Sequence, residues 1–222
     1  MKRRDFLKTT LAAAALSAAG RARSGAAATA PTTRPAAGPG KIDFYCHFSA
    51  MRVIDYLEAA GGPKPHIFRS LFANTPTLID AGRRLQLMDD FGVERSVLVP
   101  LPWLETAPAV YADPRKCLEA ARLLNDDLAE VAARRPDRFT AVALLPTTAP
   151  EVMLPELNRC VKELRMAGGM FVTGPTVKRP DHPHYELLYA EAARLDVPLW
   201  IHPSRPPLYP DYADEADSKF QV

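Results

Sequence analysis

Cysteine is scarce in this 222-residue chain, and its three copies, Cys46, Cys117 and Cys160, are an odd number too small for a disulfide framework. Cys117 falls on the apolar stripe of a predicted helix, and Cys117 and Cys160 are both expected to face the core. An excess of one charge is also missing. Against 28 basic residues stand 26 acidic ones, a formal +2 at pH 7, so there is no basic stripe for a phosphate backbone and nucleic acid is not an expected partner. No apolar run has the length of a membrane span. No Gly-x-Ser-x-Gly elbow and no Cys–His nucleophile pair is signalled, which argues against covalent acyl transfer. The first strand candidate ends in Asp43-Phe44-Tyr45-Cys46-His47, with no glycine to turn a dinucleotide phosphate loop.

What is present is 47% hydrophobic and 24% charged, the balance of one soluble globular domain with a sizeable core. The 22 prolines fall mostly between predicted elements. At the N-terminus, Lys2-Arg3-Arg4-Asp5-Phe6-Leu7-Lys8 precedes an uncharged, alanine-rich run from Thr9 to Ala19. This order resembles a twin-arginine export signal, too short to span a bilayer. Residues 1–30 are therefore expected to be an export signal and residues 31–40, within a stretch rich in Ala, Thr, Pro and Gly, a linker. The expected location is periplasmic, with no stable membrane anchor once the signal is removed. The fold is expected over residues 41–222.

From Lys41 onward, short apolar runs alternate with helical periodicity, the mark of βα units around a parallel sheet. Five strands are predicted: Ile42 to Phe48, Ser96 to Leu101, Phe139 to Leu145, Gly168 to Val172, and Pro198 to His202. Helical patterns run over Thr77 to Phe91, with Gly92 placed to end it, then Pro114 to Arg134, Pro150 to Arg165, and His184 to Leu195. Such a rhythm fits an open doubly wound sheet or a section of an eight-stranded barrel, and the missing glycine turn favours the barrel. A barrel typically takes about 250 residues, more than remain here after an export signal and linker. The expected fold is α/β, a TIM-type (β/α) barrel that is incomplete, with about five of its eight βα units.

Two histidines sit at the C-terminal ends of predicted strands, where barrel enzymes build their sites: His47, and His202 in Leu199-Trp200-Ile201-His202-Pro203. Imidazole there can bind zinc or a similar ion. The run Ile42 to Phe48 resembles the opening Asp-x-His-x-His strand of the amidohydrolase superfamily, in its metal-dependent decarboxylase and amidohydrolase-related branch. Further matches follow in order: Arg84 to Val93, Asn125-Asp126-Asp127-Leu128-Ala129 with Pro136-Asp137-Arg138-Phe139, Leu145-Pro146, Met166 to Met170, and Pro198 to Pro203. The resemblance implies a distorted TIM barrel and a divalent metal, usually zinc, with manganese or another divalent ion as alternatives. His47 then matches the second histidine of the first-strand pair and His202 the fifth-strand ligand. The implied chemistry is non-oxidative decarboxylation of aromatic or unsaturated acids, or hydrolysis or hydration of related small molecules.

The resemblance breaks at two places. Tyr45 stands where the first histidine belongs, and a phenol with a pKa near 10 is a poor zinc ligand unless the ion itself ionises it. The family's sixth-strand histidine and eighth-strand aspartate are not reached before Val222, so the chain is expected to be C-terminally truncated. Asp211, Asp214, Glu215 and Asp217 read as a solvated acidic segment. Trp103 and Glu105 follow the second strand and are candidate substrate contacts, or rim cover. His66, His182 and His184 lie in proline-containing loops; Pro180 to His184 reads as the approach to a helix N-terminus, with a substrate-loop role as the alternative. No catalytic residue is assigned. The partner is expected to be a small-molecule substrate, with self-association left open. The alternatives to a metal-dependent enzyme are a catalytically inactive remnant or fragment, and an exported small-molecule binding protein.

Overall fold

The computed structural model describes residues 40–60, 66–102, 104, 107–173 and 178–203. Residues 1–39, which hold the expected export signal and most of the linker, lie outside the described residues, as do Trp103, Glu105, Asp211, Asp214, Glu215 and Asp217.

Strand β1 (Lys41–Phe48) pairs in parallel with β2 (Val93–Pro100), and β2 pairs in parallel with β3 (Phe139–Ala141). After Val142 the chain continues as β4 (Ala143–Leu144), parallel to β5 (Gly169–Thr173), which pairs in parallel with β6 (Leu199–Pro203). Val142 donates to the Leu98 carbonyl on one side, and Ala143 to the Gly168 carbonyl on the other. The predicted third strand is thus one barrel strand recorded as two short pieces. Its neighbours follow in chain order, with no reversal of the kind that defines a doubly wound sheet. The arc curls until side chains of its first and last strands meet, as Phe44 stacks on Trp200. The described residues form a section of a (β/α) barrel.

The connecting helices are α1 (Met51–Ala59), α2 (His66–Asn74), α3 (Ala81–Phe91), α4 (Pro108–Tyr111), α5 (Pro114–Arg134), α6 (Pro150–Lys162) and α7 (Glu186–Leu195), with single 3-10 turns at Pro76–Leu78 and Pro183–Tyr185. Helix α5 keeps its predicted bounds, and local chemistry sets its start. Asp113 caps it by accepting from Arg115 and Lys116, and Pro114 supplies a first-turn residue that needs no donor. Its buried stripe, Cys117, Ala120, Ala121, Leu124 and Leu128, faces the sheet. Each such leucine contributes about 1.5–3 kcal/mol by leaving water. Cys117 and Cys160 are core residues as expected, and Cys46 is too.

Three expectations shift. Helix α3 begins at Ala81 rather than Thr77, because the Asp80 carboxylate accepts from Arg83 and starts the helix there while Thr77 belongs to a 3-10 turn. It ends at Gly92, whose φ of 65° is the left-handed conformation that glycine adopts without penalty. Helix α6 stops at Lys162, and Pro155 lies inside it rather than between elements. Helices α1, α2 and α4 have no counterpart among the predicted elements. Helix α1 has no side-chain cap and no acidic first turn, so no start signal marks it. At the β5–β6 approach, a Cβ on Gly168 would lie 2.1 Å from the Pro198 carbonyl oxygen, so only glycine allows this closeness.

A buried polar cluster ties α5 and α6 to the rim of the sheet. The Asn125 side-chain oxygen accepts from the Leu144 N–H at 2.7 Å, and its Nδ2 donates to the Leu144 carbonyl at 3.1 Å and to Glu156 at 2.9 Å. Glu156, fully buried, accepts from Arg122 at 3.0 Å and from Arg159 at 2.7 and 2.9 Å. Burial disfavours its charge, but the hydrogen bonds from Arg159, Asn125 and Arg122 outweigh that and hold its pKa below the usual carboxylate value. Its contribution is therefore complete above the unfolded-state pKa, about 4.3, and is lost as pH falls through the lower folded-state value. Glu156→Leu is expected to lower unfolding free energy by about 2 kcal/mol, because it removes the buried acceptor shared by Asn125, Arg122 and Arg159, although Arg159 keeps Asp126 and Arg122 reaches water. Urea denaturation at pH 7 checks this, and a loss under about 1 kcal/mol would assign the cluster no stabilising role.

Candidate functional site

The site begins with an irregularity in β1. Between Asp43 and Cys46 the strand takes three steps while its partner, from Ser96 to Leu98, takes two. The extra residue is a β-bulge, which bends a strand and re-aims its side chains. Phe44 and Tyr45, adjacent in sequence, accordingly both reach toward β6. Phe44 stacks on Trp200, ring centroids 5.3 Å apart and planes 27° apart. Tyr45 lies edge-on to His47 at 5.3 Å and 6.4 Å from His202, with its hydroxyl 3.5 Å from the Ile201 carbonyl, the outer limit of a hydrogen bond.

His47 and His202, from the first and last described strands, come together with ring centroids 5.2 Å apart. In the ring of His202, Nδ1 lies 2.8 Å from the Pro203 carbonyl. A carbonyl only accepts, so Nδ1 carries the proton and Nε2 presents a lone pair. In His47, Nδ1 is buried and has no hydrogen-bond partner. Burial lowers the pKa of His47 against the opposing pull of the nearby Val99 and Pro100 carbonyls, with the Arg84 charge adding to the lowering. Burial lowers that of His202 as well, aided by the proximity of His47. Both rings are thus kept neutral, the state in which imidazole ligates a metal. Burial pushes the Tyr45 phenol up from 10, so it keeps its proton at neutral pH.

These donors suit a borderline divalent ion in part. Two neutral imidazoles supply two of the three protein ligands usual in a catalytic zinc site. A protonated phenol is a weak third, and among the described residues no group of three or more His, Cys, Asp or Glu side chains gathers to hold an ion. Cys46, next to His47 in sequence, is no substitute: burial pushes its thiol up to about 11, which leaves it unreactive.

Of the other candidates, His182 and His184 do not join the pair. The His182 Nδ1 accepts from the His184 N–H at 3.0 Å, and the His184 Nε2 donates to the Thr147 carbonyl at 2.7 Å. They cap the 3-10 turn before α7 and tie it to the loop after β4, consistent with a helix approach rather than a ligand site. His66 is the first residue of α2. Sequence reasoning assigned no role to Phe44, Trp200 or Arg84. A bulge leaves no signature in composition or period, so neither Phe44 beside Trp200 nor the carbonyl contact of Arg84 was legible.

A parallel arc of βα units that presents paired imidazoles at the C-terminal ends of its strands defines a (β/α)-barrel protein with its site at the usual face of that fold. The family model described as Amidohydrolase matches residues 42–220, and the chain belongs to that family. It is 42% identical over 175 residues to a gamma-resorcylate decarboxylase of Rhizobium radiobacter, covering 75% of this chain and 51% of that protein. It is 36% identical over 178 residues to one of Rhodococcus jostii (strain RHA1), with the same shares. Among solved structures, a 2,6-dihydroxybenzoate decarboxylase from Rhizobium aligns with a TM-score of 0.59 and 34% identity, over 81% of this chain and 54% of that one. A dihydroxybenzoic acid decarboxylase from Polaromonas sp. JS666, with bound manganese and the inhibitor 2-nitroresorcinol, aligns with a TM-score of 0.60 and 34% identity, over 81% and 53%. The chain spans about half the length of the curated relatives it matches.

In two-bond 1H–15N spectra of metal-free protein, His202 is expected as the Nδ1–H tautomer, with both site histidines titrating below 6.5. An Nε2–H pattern for His202 would contradict its geometry.

Proposed function

We propose that the chain carries part of a metal-dependent, non-oxidative decarboxylase of hydroxylated aromatic carboxylic acids, with His47 and His202 as metal ligands. The observation that carries this reading is the meeting of two neutral imidazoles at 5.2 Å in a chain 42% identical to a gamma-resorcylate decarboxylase. The manganese of the Polaromonas neighbour supports a divalent ion. We take the ion to be zinc, which imidazole suits well, with manganese as the alternative.

A divalent ion supplies Lewis acidity toward the oxygens of a bound acid. In the reaction the bond from ring to carboxylate breaks, carbon dioxide leaves, and the electron pair left on the ring carbon takes up a proton. His47 and His202 keep their lone pairs free because burial opposes their protonation. Tyr45, still protonated, is suited to donate a hydrogen bond to a substrate oxygen. The Phe44–Trp200 stack joins the same two strands that carry the imidazoles.

Equilibrium dialysis of the full chain against Zn2+ or Mn2+ tests the site, and carbon dioxide release from 2,6-dihydroxybenzoate tests the reaction. Bound metal is expected, with affinity falling more than about 100-fold in His202→Ala, a larger loss than removing a ligand's outer partner causes. Absence of metal binding by the unaltered chain would end this proposal. One observation favours a second reading, retention of aromatic acids without turnover: no carboxylate completes the ligand set among the described residues. In that case the acids raise the melting temperature and are not consumed.

We also propose that the chain is exported through its paired arginines, Arg3 and Arg4, and the apolar run that follows them. Cell fractionation should find the unaltered protein in the periplasm and the double variant Arg3→Lys, Arg4→Lys in the cytoplasm. Equal distribution of the two would count against it.

A further inference from the structure

The two site histidines are held in different ways. His202 has its ring aimed by the bond from Nδ1 to the Pro203 carbonyl. His47 has no bond so well aimed: its Nδ1 is buried with no partner in good hydrogen-bonding geometry, and only the Val99 and Pro100 carbonyls of β2 lie near enough to act on the ring. The direction of its ring therefore depends on how the main chain that carries it is seated against its neighbours. On one side that main chain is held by the ladder to Val99 in β2. On the other it is held by Arg84 of α3, whose Nη2 donates to the His47 carbonyl at 2.9 Å while Nε donates to the Thr77 carbonyl at 3.0 Å. One planar guanidinium thus bridges the end of β1 and the turn before α3, a span that its fixed fork of donors suits. The neighbouring bond from the Ser49 N–H to the Leu78 carbonyl, 2.8 Å, runs between the same two segments. Arg84 makes no salt bridge among the described residues, although Asp43 lines the same 410 Å³ cavity. Its described hydrogen bonds both go to main-chain carbonyls.

We propose that Arg84 is a positioning residue of the metal site: by clamping the His47 carbonyl to the turn before α3, it sets the direction in which the His47 imidazole faces His202. This rests on the reading of the two histidines as metal ligands. Arg138 supplies a control. Its Nε donates to the Glu94 carbonyl at 2.9 Å and its Nη2 to the Val93 carbonyl at 3.1 Å, a two-carbonyl grip at the N-terminal end of β2, away from either histidine, to which a salt bridge with Asp89 at 2.8 Å is added.

The experiment uses the full chain with Arg84→Gln, Arg84→Lys or Arg138→Gln, and titrates Co2+ by its d–d absorption beside thermal melting of the metal-free proteins. Arg84→Gln is expected to weaken Co2+ binding about tenfold or more, the effect typical of losing a ligand's outer support. Arg84→Lys, which reaches one carbonyl but not both, should recover part of that affinity. Arg138→Gln should lower the melting temperature at least as much as Arg84→Gln and bind Co2+ as the unaltered chain does. Affinity losses that merely follow melting temperature across all three variants would overturn the proposal, as would unaltered Co2+ binding by Arg84→Gln. Should Arg84→Gln fail to fold, Arg84→Lys decides: weaker binding at an unchanged melting temperature supports the role, and full affinity refutes it. Failure of the unaltered chain to bind Co2+ would instead locate the error in the ligand reading, and Arg84 would lose the role with it.

Discussion

The extra residue that β1 carries against β2 between Asp43 and Cys46 is the constraint on which the site depends. A regular strand alternates its faces, so Phe44 would point away from Tyr45 and His47. With the bulge, Phe44, Tyr45 and His47 all engage β6, meeting Trp200, the Ile201 carbonyl and His202. The lower contact is apolar and the upper one polar. This vertical sorting places neutral imidazoles at the strand ends, above a stacked aromatic pair.

At the opposite side of the arc, Asn125 replaces a strand neighbour with a side chain. The N–H and carbonyl of Leu144 both bond to its amide. Strand β2 ends at Pro100, whose nitrogen has no hydrogen to donate, so the ladder between β2 and the third barrel strand is recorded only as far as Leu98 and Ala141. Glu156 holds Asn125 in place, and two arginines hold Glu156. The rim of the sheet is therefore fixed from α5 and α6, and the loop beyond it, through Thr147, receives His184 and the turn before α7.

The outer edges of the arc are apolar and open among the described strands. Ile42 on β1 is 62% exposed and Ile201 on β6 is 49% exposed, values that belong to surface positions although both residues are strong strand formers. Neither strand has a second neighbour among the described elements. Such edges are sites of strand addition or association wherever they stay uncovered. The site lies between the strands that carry these edges, so the geometry of the imidazole pair is coupled to whatever orders β1 and β6.

The sequence by itself determined the parallel βα rhythm, the five strand positions, the full extent of α5, the glycine stop of α3 and the two histidines at strand ends. Each of these rests on local chemistry: a cap, a proline at a first turn, an apolar period, a left-handed glycine. Helix α1 escaped because it lacks a start signal, and the start of α3 shifted because Asp80 caps the helix at Ala81. Only the tertiary structure decided which side chains share a face in β1, which nitrogen of His202 is free, and which distant groups hold Leu144 and the His47 carbonyl. Those outcomes depend on register between strands and on contacts between residues far apart in the chain, and neither is written in the spacing of residues along it.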